Sequence, residues 1–141
     1  MTVTIVGIAG GTGSGKSTLG RRLVQAIGPE RCALIAQDNY YHDLSHLSVA
    51  DRAAVNFDHP DIFDWPLLKE LLAELAVGKD IVIPNYNYKT CKRDPPGIVV
   101  KATPLVLFEG IFALYDFEIL AMLDFNIFVH TDDDLRLLRR L

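Results

Sequence analysis

The sequence has few of the features that mark secreted, membrane or nucleic-acid-binding proteins. Its only two cysteines, Cys32 and Cys91, lie far apart and without metal-ligand spacing, so no disulfide scaffold is predicted. A net charge of −4, with no basic run or stripe, argues against a nucleic-acid surface. No apolar run exceeds the length of a strand, and the first begins too near Met1 to leave room for a signal peptide. We therefore expect a cytoplasmic protein without membrane contact, and its 141 residues fit one domain.

What the sequence does contain, close to its start, is the motif G-x-x-x-x-G-K-[ST], which is typical of phosphate-binding loops. Glycines let successive backbone N–H groups point inward and form a nest for phosphate oxygens. Lys16 would supply a charge for the β- and γ-phosphates, and Ser17 a hydroxyl for magnesium. The predicted nucleotide-binding residues are Gly10, Gly11, Thr12, Gly13, Ser14, Gly15, Lys16, Ser17 and Thr18.

The pattern around this motif predicts alternating strands and helices. Residues 2–8 are typical of a buried strand, and residues 18–27 carry leucine, valine and isoleucine at helical spacing. Further strands are predicted at 32–36, 105–108 and 125–129, and further helices at 66–77, at 117–123 and from Asp132 onward. This alternation indicates an α/β fold of the P-loop NTPase type, with a parallel sheet covered by helices on both faces.

One segment, residues 80–102, interrupts the alternation. Residues 80–88 and 98–102 are predicted as two short strands joined by the polar loop 89–97. We interpret this segment as a β-hairpin inserted into the domain and attached to the sheet, where it would form part of a substrate pocket. Ligands of open α/β sheets bind beyond the carboxyl ends of the strands, so polar residues at those ends are the candidates for chemistry.

Three acidic residues stand near such ends. Asp38 follows the strand at 32–36, Glu109 follows the strand at 105–108, and Asp58 lies in a polar segment between them. Carboxylates near a bound triphosphate can hold magnesium or accept a proton from an attacking hydroxyl. The structural alternatives are a helix cap for Asp38 and a turn residue for Asp58.

A set of short motifs, in this order, resembles the uridine–cytidine kinase family over the length of the chain. Only the phosphate-binding loop is specific by itself, but the motifs in register are specific together. After the loop come Gln37-Asp38-Asn39-Tyr40-Tyr41, Asn56-Phe57-Asp58-His59-Pro60-Asp61, Phe108-Glu109-Gly110-Ile111 and Arg136-Leu137-Leu138-Arg139-Arg140.

In that family ATP phosphorylates the 5′-hydroxyl of a pyrimidine nucleoside. The resemblance therefore implies ATP (or GTP) as phosphate donor, Mg²⁺ as cofactor and a small-molecule nucleoside as substrate, in pyrimidine salvage. Asp38 would be the general base and Lys16 the other catalytic residue, while Ser17, Asp38 and Glu109 would hold magnesium. The implied substrate-binding residues are Phe57, Asp58 on the ribose hydroxyls, Tyr86, Tyr88, Cys91 and Arg93.

The sequence departs from the family pattern at two places. Cys91 stands where the family usually carries a histidine that reads the pyrimidine edge, so the preferred base is open. The family's basic lid would follow Leu141, and we expect the chain to be truncated before it. A related P-loop kinase acting on a sugar phosphate or pantothenate, or a truncated inactive ATP-binding module, is the alternative, and homo-oligomerisation is also open.

Overall fold

The chain alternates strands and helices through most of its length, as its hydrophobic pattern predicts. The computed structural model describes residues 2–141. Along the chain the elements are β1 (Thr4–Ala9), α1 (Lys16–Ile27), β2 (Cys32–Ala36), α2 (Val49–Ala53), α3 (Trp65–Ala76), β3 (Ile81–Ile83), β4 (Tyr86–Asn87), β5 (Lys92–Arg93), β6 (Ile98–Val100), β7 (Leu105–Gly110), α4 (Phe117–Met122), β8 (Phe125–Phe128) and α5 (Asp133–Arg140), with short 3₁₀ turns at Gln37–Tyr40 and Pro60–Ile62.

Four of these strands form a parallel sheet in the order β2-β7-β1-β8. Parallel strands end at one edge of the sheet, so the segments that follow β1, β2 and β7 meet there. Ala9, Ala36 and residues Glu109 and Gly110 are neighbours in the register at this edge. The predicted α/β fold with a parallel sheet is confirmed, and its topology brings the phosphate-binding loop next to the acidic strand ends.

Two hydrophobic cores cover the two faces of the sheet. Because side chains alternate along a strand, Ile5, Val106 and Phe108 face α3 and α4, whereas Val6, Ile8 and Leu107 face α1. The apolar stripe of α3 consists of Leu68, Leu71, Leu72 and Leu75, all buried. Within residues 2–141, no helix has the length and apolar character needed to cross a membrane.

Two local details differ from the sequence-based expectation. Glu109 does not follow its strand but lies within β7, paired with Ile8 on one side and Ala36 on the other. The strand extends this far because both neighbouring strands continue to offer hydrogen-bonding partners. Glu109 is consequently buried, with 5% of its surface exposed.

The insertion at residues 80–102 also differs in detail. It contains two separate antiparallel ladders, β3 with β6 and β4 with β5, and neither is hydrogen-bonded to the parallel sheet. The predicted loop 89–97 therefore contains a strand, β5. Pro84 and the pair Pro95-Pro96 lack N–H donors, which interrupts the pairing. The hairpin is thereby divided into a base, formed by β3 and β6, and a tip, formed by β4 and β5.

Candidate active site

The phosphate-binding loop connects β1 to α1 and has a backbone that requires glycine at two positions. Gly13 has φ of 77° and Gly15 has φ of 96°, both in the left-handed region, and a Cβ at Gly13 would also lie 2.8 Å from the carbonyl oxygen of Arg136. Gly15 directly precedes Lys16, the first residue of α1. The loop opens into a cavity of about 590 Å³ whose lining residues are Gly13, Ser14, Gly15, Lys16, Ser17, Thr18, Leu19, Arg22 and Arg139.

Helix α5 lies across this loop and brings arginines to it. Arg139 donates a hydrogen bond from Nη1 to the carbonyl oxygen of Gly13 at 3.0 Å. Thr131, just before α5, donates from Oγ1 to the carbonyl oxygen of Ser14 at 2.8 Å. The guanidinium of Arg136 sits so close to Gly11 that a Cβ there would collide with it. Two arginine side chains therefore lie against the loop.

Two carboxylates stand at the sheet edge beside Lys16. Ser17 Oγ donates to Glu109 Oε1 at 3.1 Å, which ties the loop to β7. Burial raises the pKa of Glu109; the charge of Lys16 opposes this rise and the charge of Asp38 adds to it. Burial likewise raises the pKa of Asp38, against the lowering effects of a hydrogen bond from Tyr41 and of the Lys16 charge. The charge of Lys16 therefore interacts with both carboxylates, and the two carboxylates interact with each other.

This donor set fits a magnesium ion. The described residues contain no cluster of three or more His, Cys, Asp or Glu side chains able to hold a metal. The site instead offers two carboxylates and the Ser17 hydroxyl, which are hard oxygen ligands. Mg²⁺ is commonly bound by one or two carboxylates together with water and substrate phosphates, so this smaller set suffices. A cation would also relieve the repulsion between the two acidic groups.

A second cavity, of about 230 Å³, begins at Asp38 and is lined by Tyr41, Phe57, Tyr86 and Tyr88. Tyr41 stacks on Phe63 with ring centroids 4.8 Å apart and meets the Tyr86 ring edge-on at 5.2 Å. Burial and the charges of Asp38 and Glu109 raise the pKa of Tyr88 to about 12. The cavity is therefore an aromatic slot with one carboxylate, Asp38, in its lining.

Tyr41 also makes a polar contact that the sequence interpretation did not identify. Its hydroxyl donates to Asp38 Oδ1 at 3.2 Å. The 3₁₀ turn at Gln37–Tyr40 explains this contact, because residues three apart lie above one another in such a turn. The three-residue spacing from Asp38 to Tyr41 was the signal that could have predicted it.

Gln37 is a second residue that the interpretation missed. It is completely buried, and its Oε1 accepts a hydrogen bond from the backbone N–H of Phe112 at 2.9 Å. A Cβ at Gly110 would collide with its side chain. Gln37 therefore holds the turn after β2 against the segment that follows β7. That turn contains Asp38, and β7 contains Glu109. A polar residue directly after a buried strand was the available signal.

The structure brings some of the expected substrate residues to the aromatic slot and places others elsewhere. Phe57, Tyr86 and Tyr88 line it. Asp58 is exposed and borders a separate cavity of about 300 Å³, whose other lining residues are Thr12, Asp133, Arg136, Leu137 and Arg140. Cys91, at φ of 56°, packs against the cluster of Tyr41, Phe63 and Tyr86 but lines a neighbouring groove instead of the slot. Arg93 does not line the slot and donates a hydrogen bond to Asp64.

Replacing Tyr41 with phenylalanine should raise the pKa of Asp38 above its already raised value. The hydroxyl stabilises the ionised carboxylate, and the variant removes that hydrogen bond while keeping the ring. NMR titration of the Asp38 carboxyl carbon measures the change directly. On acidification, the Asp38 carboxylate of the variant would therefore become protonated at a higher pH than that of the parent protein. Phe63→Leu, which alters the ring stack but not the hydrogen bond, is the control, and an unchanged or lower pKa in the Tyr41 variant would contradict the assignment.

Comparison with known proteins gives one consistent family. Residues 5–141 match the model of the phosphoribulokinase/uridine kinase family. The chain is 44% identical to a uridine kinase of Clostridium novyi over 141 residues, which is all of this chain and 68% of that protein. It is 43% identical to a uridine kinase of Halobacterium salinarum over 136 residues, covering 96% of this chain and 60% of that protein. The chain thus spans about two thirds of the length of these relatives.

Solved structures resemble the fold at lower sequence identity. A possible uridine kinase from Bacillus stearothermophilus superposes with a TM-score of 0.74 at 18% identity, covering 99% of this chain and 77% of that one. At this identity the likeness concerns the arrangement of strands and helices alone.

Proposed function

Since the chain belongs to the phosphoribulokinase/uridine kinase family, we propose that it transfers the γ-phosphate of ATP to the 5′-hydroxyl of uridine or cytidine. One observation carries this proposal: Asp38 lines the aromatic cavity and interacts with the charge of Lys16, which lines the cavity of the phosphate-binding loop. A phosphate donor and a flat acceptor molecule would each have a place, with one carboxylate between them.

The residues of the loop would bind and orient the donor. Phosphoryl transfer depends mainly on positioning and on stabilising charge at the transferred group. Backbone N–H groups of the loop and the N-terminus of α1 would hold the β- and γ-phosphates, and Lys16 would neutralise part of their charge. Ser17, Asp38 and Glu109 would hold Mg²⁺, which when bound supplies further neutralisation of phosphate charge.

Asp38 would orient the acceptor and take its proton. As the acceptor 5′-oxygen forms its bond to the γ-phosphorus, the bond from that phosphorus to the oxygen bridging the β- and γ-phosphates breaks, and ADP leaves. The 5′-hydroxyl proton passes to a carboxylate oxygen of Asp38. The hydrogen bond from Tyr41 engages Oδ1 and leaves Oδ2 for this role. The base of the nucleoside would lie among Tyr41, Phe57, Tyr86 and Tyr88, where aromatic stacking is available.

The proposal is tested by offering the protein a panel of acceptors with ATP and Mg²⁺ and measuring ADP formation. We expect the kcat/KM values for uridine and cytidine to be at least about tenfold higher than those for pantothenate, fructose 6-phosphate or glycerate. The wrong acceptor is penalised because it leaves polar groups of the site unpaired. Preference for one of those other acceptors would overturn the nucleoside assignment while keeping a kinase. ATP binding without turnover of any acceptor would favour an inactive nucleotide-binding module.

We also propose that Asp58, whose charge acts on Tyr41 of the slot although it borders the neighbouring cavity, accepts hydrogen bonds from the ribose 2′- and 3′-hydroxyls, because its two oxygens suit two adjacent donors. Replacing Asp58 with alanine should therefore remove discrimination between uridine and 2′-deoxyuridine. In the parent protein we expect a preference of about tenfold or more for uridine, the cost of a lost hydrogen bond to a charged group. The measurement is the ratio of the two kcat/KM values, with Asp61→Ala as control because Asp61 is a neighbouring exposed carboxylate. A ratio unchanged in the Asp58 variant would exclude this role.

A further inference from the structure

Arg93 holds together the two segments that form the aromatic slot. Its Nε donates to the carbonyl oxygen of Tyr41 at 3.1 Å, and its Nη2 donates to Asp64 Oδ2 at 3.1 Å. On β5 it pairs with Tyr86 of β4. Arg93 is thus hydrogen-bonded to the backbone of Tyr41 and paired in a β-ladder with Tyr86, and both of these tyrosines line the slot.

The contacts around Arg93 form a continuous connection between the hairpin tip and the segment after β2. Its backbone N–H donates to Asp43 Oδ2 at 2.8 Å, and nearby the N–H of Leu44 donates to the carbonyl oxygen of Cys91 at 2.9 Å. Hydrogen bonds to Ser45 and Arg93 lower the pKa of Asp43 to about 2, so this anchor stays ionised at neutral pH. The tip has only two short strands of its own, which would be marginal without such support.

Asp64 anchors this connection to the rigid part of the fold. Its Oδ1 accepts from the N–H of Leu67 at 3.3 Å and so caps α3, while its Oδ2 receives the Arg93 guanidinium. The two side chains are mostly buried, with 24% and 21% exposed. An ion pair that is largely shielded from water and fixed at a helix start holds a defined geometry better than an exposed pair does.

We propose that Arg93 is a positioning residue for the acceptor: it fixes the relative position of Tyr41 and Tyr86, two adjoining rings of the slot lining, without contacting the acceptor. This inference rests on the proposed nucleoside kinase function and adds to it a residue that determines acceptor affinity from outside the pocket. The sequence had suggested direct contact between Arg93 and substrate. Under this proposal the guanidinium instead acts through its contacts with Asp64 and the Tyr41 carbonyl.

The test compares Arg93→Gln and Asp64→Asn with the parent protein. Asparagine can still cap α3, so Asp64→Asn removes the charge partner without removing the cap. In both variants the KM for uridine and cytidine should rise about tenfold or more, the effect of losing a hydrogen-bonded charged partner, while the KM for ATP stays within about twofold. Arg93→Lys keeps the charge but loses the two-pronged geometry, and its effect should be intermediate.

Lys101→Gln provides the matched control. Lys101 forms an ion pair with Asp80 at 2.8 Å in the other ladder of the insertion, and both side chains are exposed, so its loss should leave both KM values unchanged. A rise in both the acceptor and the ATP KM in the Arg93 and Asp64 variants would indicate general destabilisation and overturn the proposal. Unchanged acceptor KM values would overturn it equally.

Hydrogen exchange measured without any nucleoside separates this inference from the proposed function. Loss of the Arg93 side chain should speed exchange at the amides of Leu44, Cys91 and Arg93 and leave the amides of α1 unchanged. Faster exchange at these amides would support the connection even if the parent protein used no nucleoside, in which case the kinase proposal alone would fail. Unchanged exchange would overturn the positioning role whatever the substrate is.

Discussion

Asp38→Asn is expected to lower kcat by about 10²–10⁴-fold, the usual contribution of a positioned general base. The asparagine has the same shape, and its Oδ1 can still accept the hydrogen bond from Tyr41. What it cannot do is take the proton of the acceptor hydroxyl. ATP should still bind, because the phosphate-binding loop, Lys16 and the other two proposed magnesium ligands, Ser17 and Glu109, are unchanged.

The measurements are kcat by ADP formation and ATP affinity by calorimetry. Asp61→Asn is the matched control, since that carboxylate has 91% of its side chain exposed and lies outside the slot. We expect the control to retain parental kcat. Activity of Asp38→Asn within tenfold of the parent protein would remove Asp38 from the role of base.

Lys16→Met should produce the second large effect, a fall in kcat of about 10²–10³-fold, comparable with removal of one donor that stabilises transition-state charge. Methionine fills nearly the same volume without the ammonium group. Lys16 lines the loop cavity at the start of α1 and interacts with both carboxylates, so ATP affinity should also fall. Uridine affinity should change little because the aromatic slot does not include Lys16.

The same variant should shift the pH dependence of activity. The Lys16 charge lowers the pKa values of Asp38 and Glu109 against the effect of burial, so its removal raises both. A base works only when ionised; the loss of activity on acidification should therefore begin at a higher pH in the variant. Lys79→Met, at a largely exposed lysine, is the control. An ATP affinity and a pH profile both equal to those of the parent would contradict the assignment of Lys16.

The hydrophobic pattern predicted the sheet and its helices well, because most of those elements bury an apolar face of their own, although β8 and α5 are exposed. Strand β2 was predicted with the bounds that the structure has, and α3 begins within one residue of the expected position, capped by Asp64. The hairpin was less well predicted. Its tip depends on contacts with Asp43, Leu44 and Asp64, which come from elsewhere in the chain, and no local pattern reports such contacts.

The amino-acid sequence by itself determined the phosphate-binding loop, since glycines at 13 and 15 and the following Lys16-Ser17 have a local geometric meaning. It also determined which polar residues end up at one edge, because parallel strands share that edge. Only the tertiary structure decided which of them face each other: that Gln37 fastens two strand ends and that Arg93 pairs with Asp64. Those partners lie in different segments of the chain, and their distances and directions are set by packing, which no spacing along the sequence encodes.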